Sequence, residues 1–144
     1  MTKAHEPAVR RRKGRFKRYA EPGTPPGNLV APAGEFPLKL WAVDYGPELF
    51  DERDAICPED GCKLLQTSEM TWIHAQGDPD AATLNELGRL YGLHALALED
   101  VLNHGQRPKL EDYEGQLFVV LMLPVRNGGE IELSQISLFT GRNF

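Results

Sequence analysis

The chain reads as an α/β protein, a layer of β-strands with helices packed against it, and three features of the sequence predict that architecture. Strand-like runs of apolar residues lie at 38–45, 70–75, 116–123 and 131–140. Between the second and third run come two segments with helical spacing, 78–92 and 95–103. Elements of both kinds in mixed order are accommodated by a sheet with helices laid on it. The composition agrees: 144 residues with 41% hydrophobic and 26% charged side chains make about one globular domain, large enough to bury a core without disulfides.

Residues 1–37 read as a tail. The run Arg10-Arg11-Arg12-Lys13-Gly14-Arg15-Phe16-Lys17-Arg18 repels itself, and Pro22, Pro25, Pro26, Gly27, Pro32 and Pro37 then interrupt regular backbone hydrogen bonding. The domain proper is expected over 38–144. Leu38, Leu40, Ala42 and Asp44 alternate with Lys39, Trp41, Val43 and Tyr45, a strand apolar on both sides. The acidic stretch 48–66 reads as a second short strand followed by a poorly defined connection. Met70-Thr71-Trp72-Ile73-His74-Ala75 is rich in β-branched and aromatic residues and predicts a strand.

Asp78-Pro79 has the form of a helix start, with aspartate as N-cap and proline in the first turn. Leu84, Leu87, Leu90 and Tyr91 share one face of that helix, and Gly92 is placed to close it. A second short helix is expected from Ala95 to Asn103, burying Leu98, Val101 and Leu102 and stopped by Gly105 and Pro108. Leu110 to Tyr113 reads as extended, and Gln116 to Leu123 as a strand buried on both faces. Asn127-Gly128-Gly129 predicts a turn, and Ile131 to Thr140 a last strand whose apolar phase slips between Leu133 and Ile136, the mark of a bulge. Phe144 follows that strand after only Gly141-Arg142-Asn143, so the sequence is expected to be a fragment of a longer chain.

The net charge of −5 conceals an asymmetry. Residues 1–20 carry eight Lys/Arg and one acid, leaving eight basic and 20 acidic side chains, a net of −12, in the rest. The basic arm is suited to phosphate, on an anionic lipid surface or on nucleic acid, or is merely a solvated tail, and nucleic acid is disfavoured because the acidic body repels a polyanion. The body attracts cations. No apolar run approaches the roughly 20 residues of a membrane-spanning helix, the longest being Leu117 to Val125, and no secretory signal opens the chain. Cys57 and Cys62 build no disulfide framework and have no second pair to complete a zinc site. His74 and His94 read as structural. No nucleophile elbow, phosphate loop or His-Glu-x-x-His pattern occurs, so no enzymatic activity is expected.

The stretch from Tyr91 through Leu98-Glu99-Asp100-Val101-Leu102-Asn103, continuing as Gln106-Arg107-Pro108-Lys109-Leu110-Glu111-Asp112-Tyr113, closely resembles the signature of the cytosolic domain of the CorA family of magnesium transporters. The resemblance extends back through Met70-Thr71-Trp72-Ile73-His74, Val43-Asp44-Tyr45 and Gly23 to Val30, and forward through Phe118 to Leu121 and Glu132 to Ser137. It implies an α/β/α sandwich with a mixed sheet and packing helices, incomplete at the C-terminus. It also implies a homopentameric transporter of Mg²⁺, and of Co²⁺, in the cell inner membrane, with this segment on the cytoplasmic side. The two transmembrane helices and the Gly-Met-Asn motif of such proteins are not in this sequence. A stand-alone metal-sensing or interaction module is the alternative.

Glu99 and Asp100 are the expected metal residues. Adjacent helical side chains diverge by about 100°, so the two carboxylates do not grip one ion together, and each needs ligands from elsewhere. Mg²⁺ keeps several waters and takes one or two protein carboxylates. The resemblance implies that Asp100 is the main ligand of a regulatory Mg²⁺ site between subunits and Glu99 an auxiliary one. By themselves the two read better as a solvated helix face, and only the surrounding motif reverses that reading. Asp78 and Asp80 read as helix-start residues favoured by the helix dipole, and Arg107 as part of a helix stop, placed to pair with a nearby carboxylate.

Overall fold

The computed structural model describes residues 23–30 and 36–144. The basic arm and its lipid-facing role lie outside the described residues. Nine elements follow in order: β1 (Lys39–Tyr45), β2 (Phe50–Arg53), α1 (Pro58–Thr67), β3 (Met70–Gln76), α2 (Ala81–Tyr91), α3 (Ala95–Leu102), β4 (Lys109–Tyr113), β5 (Gln116–Asn127) and β6 (Glu130–Thr140). The strands form two three-stranded sheets, β2-β1-β3 and β4-β5-β6. Every ladder among the described residues is antiparallel, so the expected mixed sheet is instead a pair of antiparallel ones. The Thr71 N–H donates to the Asn143 carbonyl at 2.9 Å, linking the β3 edge to the chain just beyond β6.

The main core gathers Leu29, Leu40, Leu84, Leu87, Leu98 and Leu102 between the first sheet and the helices. A smaller one holds Ala97 of α3 against Phe118 and Val120 of β5. Phe139 of β6 packs against both, which places the helices on one side of the two sheets. Among β1 residues, Leu40, Ala42 and Asp44 face that side and are buried. The buried Asp44 carboxylate accepts from the Thr71 hydroxyl at 2.7 Å and has the Arg53 guanidinium at 4.0 Å, so its burial is compensated. Leu29 is buried too, and the Pro25 to Asn28 turn is closed by an Asn28 N–H bond to the Pro25 carbonyl at 3.3 Å. Residues 23–30, read from sequence as part of the tail, therefore have a defined place on the core.

Several expectations are corrected. The connection after β2 is a helix, α1, with Pro58 in its first turn and Glu59 and Asp60 there to favour the dipole. Its Gly61 is a close-packing position, since a Cβ there would collide with the Tyr91 hydroxyl. Asp80, not Asp78, caps α2, accepting from the Thr83 N–H at 2.7 Å. Asp78 instead accepts from the Phe36 N–H at 3.2 Å. Gly92 closes α2 as expected, in the left-handed conformation at φ 67°. The β6 phase slip produces no bulge: pairing with β5 runs unbroken from Leu117 opposite Thr140 to Asn127 opposite Glu130. Gly128 and Gly129, at φ 56° and 96°, supply the two positive-φ residues that a tight hairpin turn requires.

The slip shows up as exposure instead. Strand β5 is buried on its helix side only, at Phe118 and Val120. On its other side Leu117, Leu121, Leu123 and Val125 are exposed, beside Leu110 of β4 and Ile136 of β6. The first sheet likewise exposes Tyr45, Phe50 and Trp72. His74 is also exposed on that side, in tilted ring contact with Trp41 at 5.4 Å, rather than buried.

Candidate metal site on helix α3

Helix α3 is short, and its position is fixed from both ends. At the start, His94 is the N-cap: its Nδ1 accepts from the Leu96 N–H at 3.3 Å, and its ring stacks on Tyr113 at 4.3 Å between centroids. Ala97, Leu98 and Leu102 are buried beneath it. The helical repeat then leaves Glu99 and Asp100 half-buried on its flanks.

The two carboxylates reach different partners. Glu99 Oε2 accepts from the Gly27 N–H at 3.0 Å, tying α3 to the proline-rich turn. Asp100 Oδ2 receives the Lys109 ammonium at 2.6 Å. The same ammonium donates to Glu111 Oε1 at 2.8 Å, and the Tyr113 hydroxyl donates to Glu111 Oε2 at 2.8 Å. Lys109, Glu111 and Tyr113 alternate along β4 and so share its helix-facing side. The Lys109 ammonium also lies 5.6 Å from the Phe118 ring centroid. The main chain is held as well. Gln135 of β6 donates from Nε2 to the Asp100 carbonyl at 3.0 Å, and its Oε1 accepts from the N–H groups of Gly105 and Gln106, each at 3.0 Å.

Electrostatics follow the contacts. Burial alone would lower the Lys109 pKa, but hydrogen bonds to Asp100 and then Glu111 outweigh it and hold the ammonium above the ordinary lysine value. The Glu111 carboxyl is lowered, first by Lys109 and then by Tyr113. Burial, and then the bond to Glu111, raises the Tyr113 phenol.

The sequence singled out Glu99 and Asp100, and the structure places them on one short helix with separate partners. It did not single out Lys109, Glu111 or Gln135. For the first two the available signal was the Lys-x-Glu-x-Tyr alternation on a strand just past the helix. The ion pair with Asp100 is made by Lys109, at the start of β4.

Asp100 offers a carboxylate, the kind of oxygen donor Mg²⁺ takes, 22% exposed and with one oxygen held by the Lys109 ammonium. Among the described residues no three His, Cys, Asp or Glu side chains converge, so a site at Asp100 draws little more than this carboxylate from these residues. Cys57 and Cys62 are free thiols. Cys57 is exposed at the N-cap position of α1, and Cys62 donates to the Leu90 carbonyl at 3.4 Å. Among the described residues no helix is long and apolar enough to cross a membrane.

Comparison with known proteins gives these features a family. The sequence model for CorA-like Mg²⁺ transporter protein matches residues 67–144, which include α2, α3 and β4 to β6. The Cobalt/magnesium transport protein CorA of Thermotoga maritima is 34% identical over 128 residues, 86% of this chain and 36% of that protein. YfjQ of Bacillus subtilis, whose name assigns it provisionally to metal ion transport, is 34% identical over 73 residues, 51% of this chain and 22% of that protein. The chain thus spans about a third or less of the relatives it matches. Both relatives carry the names of transport proteins, not of enzymes, and with its family model covering more than half of the sequence, this chain belongs to the CorA family of Mg²⁺ transporter proteins.

Proposed function

We propose that this chain is the cytosolic Mg²⁺-sensing part of a divalent-cation transporter, with Asp100 the principal regulatory ligand and Glu99 an auxiliary one. The observation that carries the reading is the state of Asp100. It is a partly exposed carboxylate on the family's signature helix, held in place by Gln135 through its main chain, with its charge met by one lysine. A carboxylate so placed is open to a hydrated divalent ion, and the remaining ligands would come from a neighbouring subunit of a homopentamer. Glu99 holds the Gly27 turn in this structure and would join only from the margin of the site.

Bound Mg²⁺ would supply a double positive charge that offsets facing carboxylates across a subunit boundary. Asp100 and its counterparts would repel one another when cytosolic Mg²⁺ falls, loosening the closed assembly and opening the pore. Such a response is a population shift set by differential affinity for two states. Transport of Mg²⁺ and of Co²⁺ across the cell inner membrane, through helices outside this sequence, belongs to the same proposal. So does the completed α/β/α sandwich, whose second helical layer would cover the exposed face at Leu117, Leu121 and Ile136. In the complete transporter, Asp100→Ala should let uptake continue at internal Mg²⁺ concentrations that shut the parent protein. Inhibition left unchanged would refute the assignment.

A further inference from the structure

We propose that Lys109 is a tethered competitor for the metal at Asp100, and that Glu111 is the alternative seat to which its ammonium moves when a divalent ion binds. The inference deepens the sensing role of Asp100 and rests on that reading.

Lys109 Nζ lies 2.6 Å from Asp100 and 2.8 Å from Glu111, so it bridges two carboxylates on different elements. A divalent ion on Asp100 Oδ2 must displace the ammonium bonded to that oxygen, and one on Oδ1 lies close enough to repel it toward Glu111. Displacement is inexpensive here, since the ammonium need not go to bulk water. Glu111 accepts from it already, and Tyr113 steadies Glu111 through its other oxygen. Lysine suits such a role better than arginine: its point charge on a flexible stem makes single contacts that can be exchanged one at a time. The ammonium therefore keeps Asp100 ordered when metal is scarce and raises the Mg²⁺ concentration at which the sensor fills, while the two carboxylates around one cation retain the net negative charge that repels across the boundary.

The surroundings restrict the exchange to this group. Asp112 lies on the opposite side of β4 from Lys109 and Glu111. Arg107 precedes the strand and is exposed. Neither is needed for the exchange, so both serve as controls for simple through-space charge.

The test is calorimetric titration of MgCl₂ into the complete protein at fixed ionic strength, for the parent and for Lys109→Gln, Glu111→Gln, Arg107→Gln, Asp112→Asn and Asp100→Asn, with thermal unfolding as the check on folding. Relief of a half-buried ion pair predicts Mg²⁺ affinity about three- to tenfold higher in Lys109→Gln. Glu111→Gln leaves Lys109 with Asp100 alone and should bind about twofold or more weakly, while the controls change by less than about twofold. These opposite signs keep the test decisive should one variant fold poorly. Unchanged affinity in Lys109→Gln, with binding lost in Asp100→Asn, overturns the competitor role and leaves the sensing site standing. An Arg107→Gln effect as large as that of Lys109→Gln overturns it in favour of general charge. Undiminished binding in Asp100→Asn overturns both.

Discussion

Gln135 and Asp100, 35 residues apart, are joined by a 3.0 Å hydrogen bond from the glutamine amide to the aspartate carbonyl. With Gly105 and Gln106 on its oxygen, the Gln135 side chain ties β6 to both the end of α3 and the loop behind it. It thereby positions the backbone that carries the Asp100 carboxylate.

Replacing Gln135 with alanine should expose that dependence. Two N–H donors lose their acceptor in a half-buried setting, a loss of about 1–3 kcal/mol. Urea denaturation measures the cost, and faster amide exchange at Gly105 and Gln106 than in the sheet interior locates it.

Neighbouring strand positions should respond very differently to truncation. Phe118 is fully buried against Ala97, and Phe118→Ala should cost about 3–5 kcal/mol. Leu121, on the opposite side of the same strand, is 47% exposed, and Leu121→Ala should cost less than about 1 kcal/mol. Equal costs in the isolated chain would mean that something covers the outer face.

The charged network on β4 sets a pH window. Glu111 is lowered from its reference value of 4.5, so its contribution is present above that pH and is lost as pH falls through the depressed value. Asp80, lowered by its Thr83 cap bonds, adds to the same acid limb. Lys109 is raised from 10.5, so its contribution is complete below that pH and is lost as pH climbs through the raised value. The Cys57 thiol is also raised, from 9.0 and chiefly by its hydrogen bond to Asp60, so urea midpoints should plateau between about pH 5 and 9. Glu111→Gln should flatten the acid limb.

Gly61 and Tyr91 form a third testable pair. The Tyr91 hydroxyl donates to the Pro58 carbonyl at 2.9 Å and lies over Gly61 where a methyl group would sit. Gly61→Ala should destabilise the chain by about 1–3 kcal/mol through overpacking. Tyr91→Phe alone should cost about 1 kcal/mol for the lost hydrogen bond. Because phenylalanine lacks the colliding oxygen, the double variant should be more stable than the sum of the two single losses, as thermal unfolding would measure.

What could be read from sequence divides along physical lines. Strong periodicity placed β1, β3, α2, α3 and the Gly128-Gly129 hairpin, because each carries its own local signal. Helix α1 was missed although Pro58, Glu59 and Asp60 mark its start, because Gly61 interrupts the helical pattern. That glycine answers to Tyr91, 30 positions on, which no local window contains. Asp78 and Asp80 each looked like a cap, and only the backbone decides which aspartate reaches an N–H two or three residues ahead. The apolar residues of β5 suggested burial on both faces, since composition says what a face could pack against and not whether it does. At the candidate site, Glu99 and Asp100 are proposed from the family signature. Lys109 and Gln135 were not, because their contacts depend on how β4 and β6 return to α3.

The central claim is that Asp100 ligates a divalent ion. It is tested most directly by diffraction from crystals of the assembled, complete protein grown with Mn²⁺, whose preference for oxygen ligands resembles that of Mg²⁺. Such crystals should show an anomalous peak at metal–oxygen bonding distance from the Asp100 carboxylate, with the Lys109 ammonium on Glu111. An Asp100 still paired with Lys109, and no metal beside it, would contradict the claim.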